Sequence, residues 1–400
     1  MTTHGCSLPY KQINISPIGE FNPCCQYQSI GAEHMHISTI QEYLESDVLQ
    51  KIKDDLAAGI KIPQCNHCWK DEAALGRSMR SHRISEPIPT IKELFIEFGN
   101  ICNAACRICH SGRSSLIGQH DAKWLKANPA SPLKEELAPS NFFRGDKFWY
   151  KGIADTVLPI IEDLDYIQIS GGEPFINPHF DDFIDTLITS GKKLPNIRIT
   201  TNGSFTAAQI EKLRNFDNFS IYLSTDSMTP EYYNHLRWPL KYTDLQRSIK
   251  ILQDYTCDGE PPKYEFQLVM QNLNLLDIVP SLQWFNTHLG DDLRFYIAYT
   301  MLHSSQWYSI HNTPKRLRDQ VLVDLHTIDF HAHSKFTGQP LDHVDYHPHI
   351  NPNEQSLKNL LTQHQPYHDL TMLRNHVEYT DKTRGVDTWD FIGWHPDELI

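Results

Sequence analysis

Glu93-Leu-Phe-Ile-Glu-Phe98 is an apolar run with alternation, and it leads within a few residues into Cys102-Asn-Ala-Ala-Cys106-Arg-Ile-Cys109. The first segment is predicted to be a strand, which places a CxxxCxxC in the loop that follows it. Three thiolates in one short loop can bind three irons of a cubane cluster and leave the fourth iron open. A substrate-activating site needs such an opening, just as catalytic zinc keeps one position free. A closed electron-transfer cluster would want a fourth cysteine nearby, and the next one downstream is Cys257. For these three residues alone, a zinc site or incidental cysteines is the competing reading.

Downstream, strand and helix patterns alternate. Asp165-Tyr-Ile-Gln-Ile-Ser170 reads as a buried strand ending in Gly171-Gly172. A helical pattern follows with Phe180, Phe183, Ile184, Leu187 and Ile188 on one face, stopped by Gly191. Further strands are predicted at Asn196–Thr200, Phe219–Ser224, Tyr264–Met270 and Arg294–Tyr299. Helices intervene: one opened by Thr206, one near Asp244–Tyr255, one through Leu276–His288. Six strands so connected mean right-handed crossovers and a parallel sheet, either doubly wound or a partial barrel. Both place chemistry at the carboxyl ends of the strands. There stand Gly171-Gly172-Glu173-Pro174, Thr201-Asn202-Gly203 and Ser224-Thr225-Asp226, polar ends that describe one ligand-binding rim. Glycines let a backbone approach a ligand, and Glu173 can accept from an ammonium group.

The chain has 400 residues, room for one large domain and one or two smaller ones. Lys+Arg 36 against Asp+Glu 49 leaves a net charge of −13, which argues against nucleic-acid binding as the main activity. The start lacks a charged-then-apolar signal pattern and no apolar run approaches a membrane span, so a soluble cytoplasmic protein is expected. Eight of the nine cysteines fall in the first 109 residues. In a reducing compartment such clustering reads as metal or iron–sulfur ligation rather than disulfides. An amphipathic stretch is predicted at Ser38–Leu56, a linker at Glu86–Thr90, and an insertion over the site at Ala127–Trp149. After residue 300 the alternation stops, with helices expected near Pro314–Ile328, Glu354–His364 and His368–Tyr379.

With these motifs in this order, residues 91–300 resemble the core of radical S-adenosylmethionine (radical SAM) enzymes. The resemblance implies an α/β fold, a (β/α)6 partial barrel. It implies that Cys102, Cys106 and Cys109 hold a [4Fe–4S] cluster whose open iron chelates SAM. Glu173, with Gly171, Gly172 and Pro174, would bind the methionine amino group. Ser224 is a candidate for the ribose or carboxylate and Arg237 for the carboxylate, Asn202 and Asp226 are further cofactor-binding candidates on the same rim, and Val269–Asn272 would border adenosine. The implied chemistry is reductive cleavage of SAM to a 5′-deoxyadenosyl radical and hydrogen abstraction from a substrate carbon.

Cys6, twelve residues, Gly19, four residues and Cys24, with Cys65-Asn-His-Cys68 later, resembles the twitch domain, the short form of the SPASM auxiliary domain. The resemblance implies a second [4Fe–4S] cluster on Cys6, Cys24, Cys65 and Cys68. Neighbouring words agree: Asn22-Pro-Cys-Cys25, Trp69-Lys-Asp-Glu72 and Gly76-Arg-Ser-Met-Arg80. A four-cysteine zinc knob is the alternative, and twitch normally follows the barrel rather than preceding it. The expected organisation is 1–90 auxiliary cluster domain, 91–300 radical SAM core and 301–400 mainly helical extension. A peptide or protein substrate and a reductase or flavodoxin-type electron donor are expected, with no nucleic acid or membrane partner. Small-molecule dehydrogenation is the rival enzyme reading, and a non-catalytic iron–sulfur or zinc partner-binding protein the rival outside enzymes. His331-Ala-His333 and His347-Pro-His349 read as surface histidines. Trp69, Trp124 and Trp149 read as core or interface packing, and Cys257 as packing at a helix end.

Overall fold

The computed structural model describes residues 5–28, 37–75, 78–82, 90–137, 152–257, 261–289, 292, 294–301, 305–328, 349–350, 354–362 and 369–399. Gly76, residues 86–89 of the expected linker, 138–149 of the expected insertion, and His331, His333 and His347 lie outside them. Among the described residues nine strands form one sheet: β1 (Gln12–Ile15), β2 (Phe21–Asn22), β3 (Glu93–Phe98), β4 (Tyr166–Gly171), β5 (Asn196–Thr201), β6 (Phe219–Ser224), β7 (Lys263–Met270), β8 (Phe295–Met301) and β9 (His349–Ile350). Their order is β2-β1-β3-β4-β5-β6-β7-β8-β9. All neighbours are parallel except the outer pairs β1–β2 and β8–β9.

The six expected strands are β3 to β8, the parallel core of a partial barrel. The three at the edges correct the count. β1 pairs with β3 in the register Gln12↔Glu93 to Ile15↔Ile96, so the N-terminal region extends the core sheet. The Ser38–Leu56 stretch is two helices, Ile40–Leu44 and Asp47–Ala57, the second capped by Ser46. The side chain of Ser46 accepts from Leu49 N–H and ends the first helix's claim on the chain.

Period-2 patterning separates the two faces of the sheet. Ile13, Leu94, Ile96, Phe98, Ile167, Ile169, Ile197, Ile199 and Ile221 are buried on one face. They join one apolar cluster with Phe180, Phe183 and Leu187 of helix Pro178–Thr189 and Leu245 and Leu252 of helix Tyr242–Asp254. Each such burial is worth about 1.5–3 kcal/mol. The opposite face carries Gln12, Asn14, Glu93, Glu97, Gln168 and Arg198, all buried, with Tyr222 among them. The Arg198 guanidinium lies 5.2 Å from the Tyr166 ring and 5.0 Å from that of Tyr222. Parallel strands covered on both faces by helices run apolar throughout. A polar inner face therefore marks a surface kept for chemistry.

Helix Thr206 onward is opened by a full capping box, in which Thr206 and Gln209 satisfy each other's backbone N–H groups. Beyond the sheet come helices Lys315–Asp324, Glu354–Thr362, Leu370–Arg384 and Thr388–Ile392. Among the described residues no helix is long and apolar enough to cross a membrane.

Candidate functional site

The cysteine loop leaves β3 at its carboxyl end and is fastened at several points. Asn100 donates through Nδ2 to Ser111 O at 3.0 Å, and Ser115 N–H donates to Asn100 O at 2.7 Å. Ser114 caps helix Ser115–Ala127 while its hydroxyl donates to Ala104 O at 2.6 Å. On the far side, Ala105 N–H donates to Trp238 O at 2.7 Å and Arg107 N–H to Leu236 O at 2.9 Å.

Gly171 and Gly172 press against the base of this loop. A Cβ on Gly172 would lie 2.3 Å from Ile101 O, and one on Gly171 would lie 2.7 Å from Phe98 N. Gly171 also has φ +129°, so both positions require glycine. Their backbones continue the contact: Gly172 N–H donates to Gly99 O at 2.9 Å and Glu173 N–H to Ile101 O at 2.7 Å. Pro174 is buried and opens a short turn, Pro174–Ile176.

The Glu173 carboxylate, fully buried, accepts from Thr201 Oγ1 at 2.7 Å, Asn202 N–H at 2.6 Å and Phe175 N–H at 3.2 Å. Burial pushes it up to about 7 despite these donors. Its side chain thus ties the end of β4 to the end of β5, a structural task beyond the expected ammonium contact. Asn202 extends the link, donating through Nδ2 to Asn103 Oδ1 at 2.9 Å and lying 3.9 Å from Cys102 Sγ.

The three thiols feel one another. Burial, then Cys106, holds Cys102 well above the ordinary thiol range, and burial with Cys106 pushes Cys109 up to about 12. Burial also raises Cys106, but the Arg237 guanidinium draws it back. Arg237 donates to Asp226 Oδ2 at 2.6 Å, both side chains being buried. Asp226 adopts φ 57°, accepts from Val269 N–H at 3.2 Å, and presents its carbonyl to Asn274 Nδ2 at 2.8 Å. Residues 269–274 are thereby drawn to the same rim as Ser224 at the end of β6. Three half-buried thiols in one field resist ionising freely, and irons that take up their charge remove the conflict. Among the described residues no three His, Cys, Asp or Glu side chains converge on a single-ion position. A cubane needs no such convergence, since each thiolate binds its own iron. The donor set fits a cluster.

The second cysteine group also assembles. Cys24 is raised by burial, then Cys25, Cys6 and Cys65; Cys65 is pushed up to about 12 by burial, Cys6 and Cys68, with Arg80 drawing it back. Cys6, Cys24 and Cys25 pack against Leu8, Cys68 and Met79. Arg80 donates to Gly5 O at 2.9 Å, pairs with Glu72 and lies 4.4 Å from the Trp69 ring. Gly19 takes φ 84° in the turn between β1 and β2. That hairpin returns the chain antiparallel to β1, so Cys24, just beyond Asn22↔Asn14, lies toward the amino end of β3. The six residues of β3 span roughly 17–20 Å at about 3.3 Å each. The two groups therefore sit at opposite ends of the same strands. Cys257 lies just past helix Tyr242–Asp254, and Trp124 packs 5.2 Å from the Tyr379 ring.

Residues not singled out by motif complete the setting. Arg113 pairs with Glu97 on the inner face, Arg107 reaches out of the loop to Asp381, and Arg384 reaches in to the carbonyl of Ala105. The alternation ELFIEF in β3 carried a signal for Glu97, whereas the arginines carry no local pattern.

Residues 96–283 match the family model of the Radical SAM superfamily, so this stretch is a radical SAM domain. A curated relative, the GTP 3′,8-cyclase of Vibrio parahaemolyticus, is 24% identical over 181 residues, covering 45% of this chain and 53% of that protein. The probable GTP 3′,8-cyclase of Methanocaldococcus jannaschii is 25% identical over 201 residues, covering 50% and 56%. The chain thus spans about half the length of the curated relatives it matches. Among solved structures, anSMEcpe with bound AdoMet aligns over 59% of each chain with TM-score 0.40 and 15% identity.

Proposed function

We propose that the chain is a radical SAM enzyme in which Cys102, Cys106 and Cys109 hold a [4Fe–4S] cluster and the strand-end rim binds SAM. When bound, such a cluster supplies the electron that cleaves SAM to methionine and a 5′-deoxyadenosyl radical, which takes a hydrogen atom from an unactivated carbon. The chain's own residues orient and exclude. Arg237 offsets thiolate charge at Cys106, the Gly171-Gly172 contact holds the rim against the loop, and Glu173 and Asn202 fix the neighbouring strand ends. Ser224 is assigned to the ribose or carboxylate, and Asp226 to the same cofactor-binding rim. The observation that carries this reading is three half-buried thiols in one short loop whose base is clamped by the glycine contact at the strand end.

Cys6, Cys24, Cys65 and Cys68 are assigned to a second [4Fe–4S] cluster, giving an auxiliary unit at 1–90, a core at 91–300 and an extension at 301–400. Its place toward the amino ends of the strands suits electron transfer or structure rather than contact with substrate. The substrate assigned is a peptide or protein in the cytoplasm, with electrons from a reductase or flavodoxin-type donor. A small molecule is the second reading, favoured by the GTP 3′,8-cyclase relatives. The polar inner face of Gln12, Asn14, Glu97, Gln168 and Arg198 serves either as a hydrogen-bonding wall.

Anaerobically reconstituted protein given SAM and a strong reductant should form 5′-deoxyadenosine. The triple change of Cys102, Cys106 and Cys109 to Ala should abolish it, and unchanged product would refute the assignment. Faster product formation on adding GTP would favour the small-molecule reading over the peptide one.

A further inference from the structure

The face of the cysteine loop turned away from the strand ends is covered by helix Leu370–Arg384, far outside the radical SAM domain in sequence. Arg107 stands between Cys106 and Cys109 in the chain, and its guanidinium is fully buried in this contact. It donates through Nη2 to Asp381 Oδ1 at 2.7 Å and through Nη1 to Thr380 Oγ1. Arg384, one turn on, donates through Nη2 to the carbonyl of Ala105 and through Nη1 to His235 O at 3.2 Å. Asp381 is fixed in turn, accepting from Thr388 N–H at 2.8 Å and Thr388 Oγ1 at 2.6 Å. Gly385, at φ 70°, ends the helix and lets the chain fold back so that Thr388 reaches it. A narrow cleft beside these contacts is lined by Cys106, Cys109, His120, Tyr379, Thr383 and Arg384.

Residues 105–107 are therefore gripped from two sides, by the 236–238 backbone and by the C-terminal helix. The charges are unevenly matched. Arg107 and Arg237 pair with Asp381 and Asp226, whereas Arg384 donates to the Ala105 and His235 carbonyls and, among the described residues, has no carboxylate within ion-pair distance. Guanidinium groups gathered in a poorly hydrated place repel one another unless an anion is present. Three thiolates around a [4Fe–4S] core form a net anion, and a more negative one after reduction.

We infer that Arg384, with the Arg107–Asp381 pair, is a positioning device for the SAM-binding cluster: it holds the 105–107 segment and adds positive charge beside Cys106 that favours the reduced cluster. This rests on the cysteine loop holding a cluster. It assigns to the C-terminal extension a part in reducing that cluster, through the loop and without contact with substrate.

Full-length protein, reconstituted anaerobically, is titrated electrochemically with the loop cluster followed by its EPR signal, in wild type, Arg384→Gln, Arg384→Lys and Asp381→Asn. Arg384→Gln removes a positive charge and should move the potential to more negative values, with faster loss of loop iron to a chelator. Arg384→Lys keeps the charge and should leave the potential near that of wild type. Asp381→Asn removes the negative charge beside Arg107 at the loss of one of the three hydrogen bonds that Asp381 accepts, and should move the potential the opposite way. A merely structural contact would shift Arg384→Gln and Asp381→Asn in the same direction, and that result overturns the inference. Unchanged potential in both variants overturns it too. Should Arg384→Gln fail to fold, the sign of the Asp381→Asn shift decides alone. A wild-type protein with no loop cluster instead refutes the underlying assignment.

Discussion

At Gly172 a single added methyl group has nowhere to go, since the Ile101 carbonyl oxygen lies 2.3 Å from its position and belongs to backbone. Gly172→Ala should push the cysteine loop away from β4, costing about 1–3 kcal/mol by the usual measure of overpacking. A lowered denaturation midpoint together with reduced iron uptake would confirm the contact, and an unaltered protein would refute it. Glu173 makes a second test at this scale. Its two oxygens receive three donors from the protein, and an amide at that place must turn its NH2 toward one of them. At pH 8 the carboxyl, pushed up to about 7 by burial, is ionised and able to accept from all three. Glu173→Gln should then destabilise the cofactor-free protein by about 1–3 kcal/mol, the cost of an unsatisfied buried donor. Chemical denaturation without SAM measures it, and equal stability of the two proteins would show that the staple is unimportant.

Between elements, the contact of helix Ser115–Ala127 with helix Leu370–Arg384 includes a buried carboxyl, Asp121, which accepts from Tyr379 Oη. Burial pushes Asp121 up to about 7, outweighing the Tyr379 donor, with Glu136 adding to the rise. The folded state therefore binds this proton more tightly than the unfolded chain, whose aspartates titrate near pH 4. Stability from this group is present at low pH and falls as pH rises from about 4 to about 7. Asp121→Asn cannot ionise and still accepts from Tyr379, so it should flatten that slope and raise the midpoint at pH 8. Urea midpoints between pH 5 and 8 test it, and two parallel curves would contradict the account. The strands β3 to β8 were legible because each combines β-branched or aromatic residues with a turn at its end, and Thr206 with Gln209 announces its helix. β1 was not, because Gln12-Ile-Asn-Ile15 is short and half polar, and only pairing with β3 makes it a strand. The polar inner face lies in the same alternation, which by itself predicts a buried strand and not which face stays polar. No local signal links Arg384 to Ala105, 279 residues away, because such a contact exists only after the sheet and tail have docked.

Across the whole molecule, one sheet carries a cysteine group toward each end of its parallel strands. The motif spacings announced both groups, but their separation depends on the antiparallel return through Gly19 and the pairing of β1 with β3. If both hold cubanes, reconstituted protein should carry about eight irons per chain, and the Cys102/Cys106/Cys109 triple variant about four. Cys24→Ala should lose the second set, whereas Cys25→Ala should keep it, because Cys24 alone has the four-residue spacing from Gly19. Loss on Cys25→Ala alone would reverse that assignment, and stoichiometric zinc in anaerobically purified protein would replace the second cluster with a structural knob. The most direct test of the account is the low-temperature EPR spectrum of the reduced protein before and after SAM is added. An open iron in the loop predicts a changed signal on adding SAM, and the triple variant should lose that SAM-sensitive signal while keeping the other. A spectrum indifferent to SAM in fully loaded protein would contradict the claim that this loop binds it.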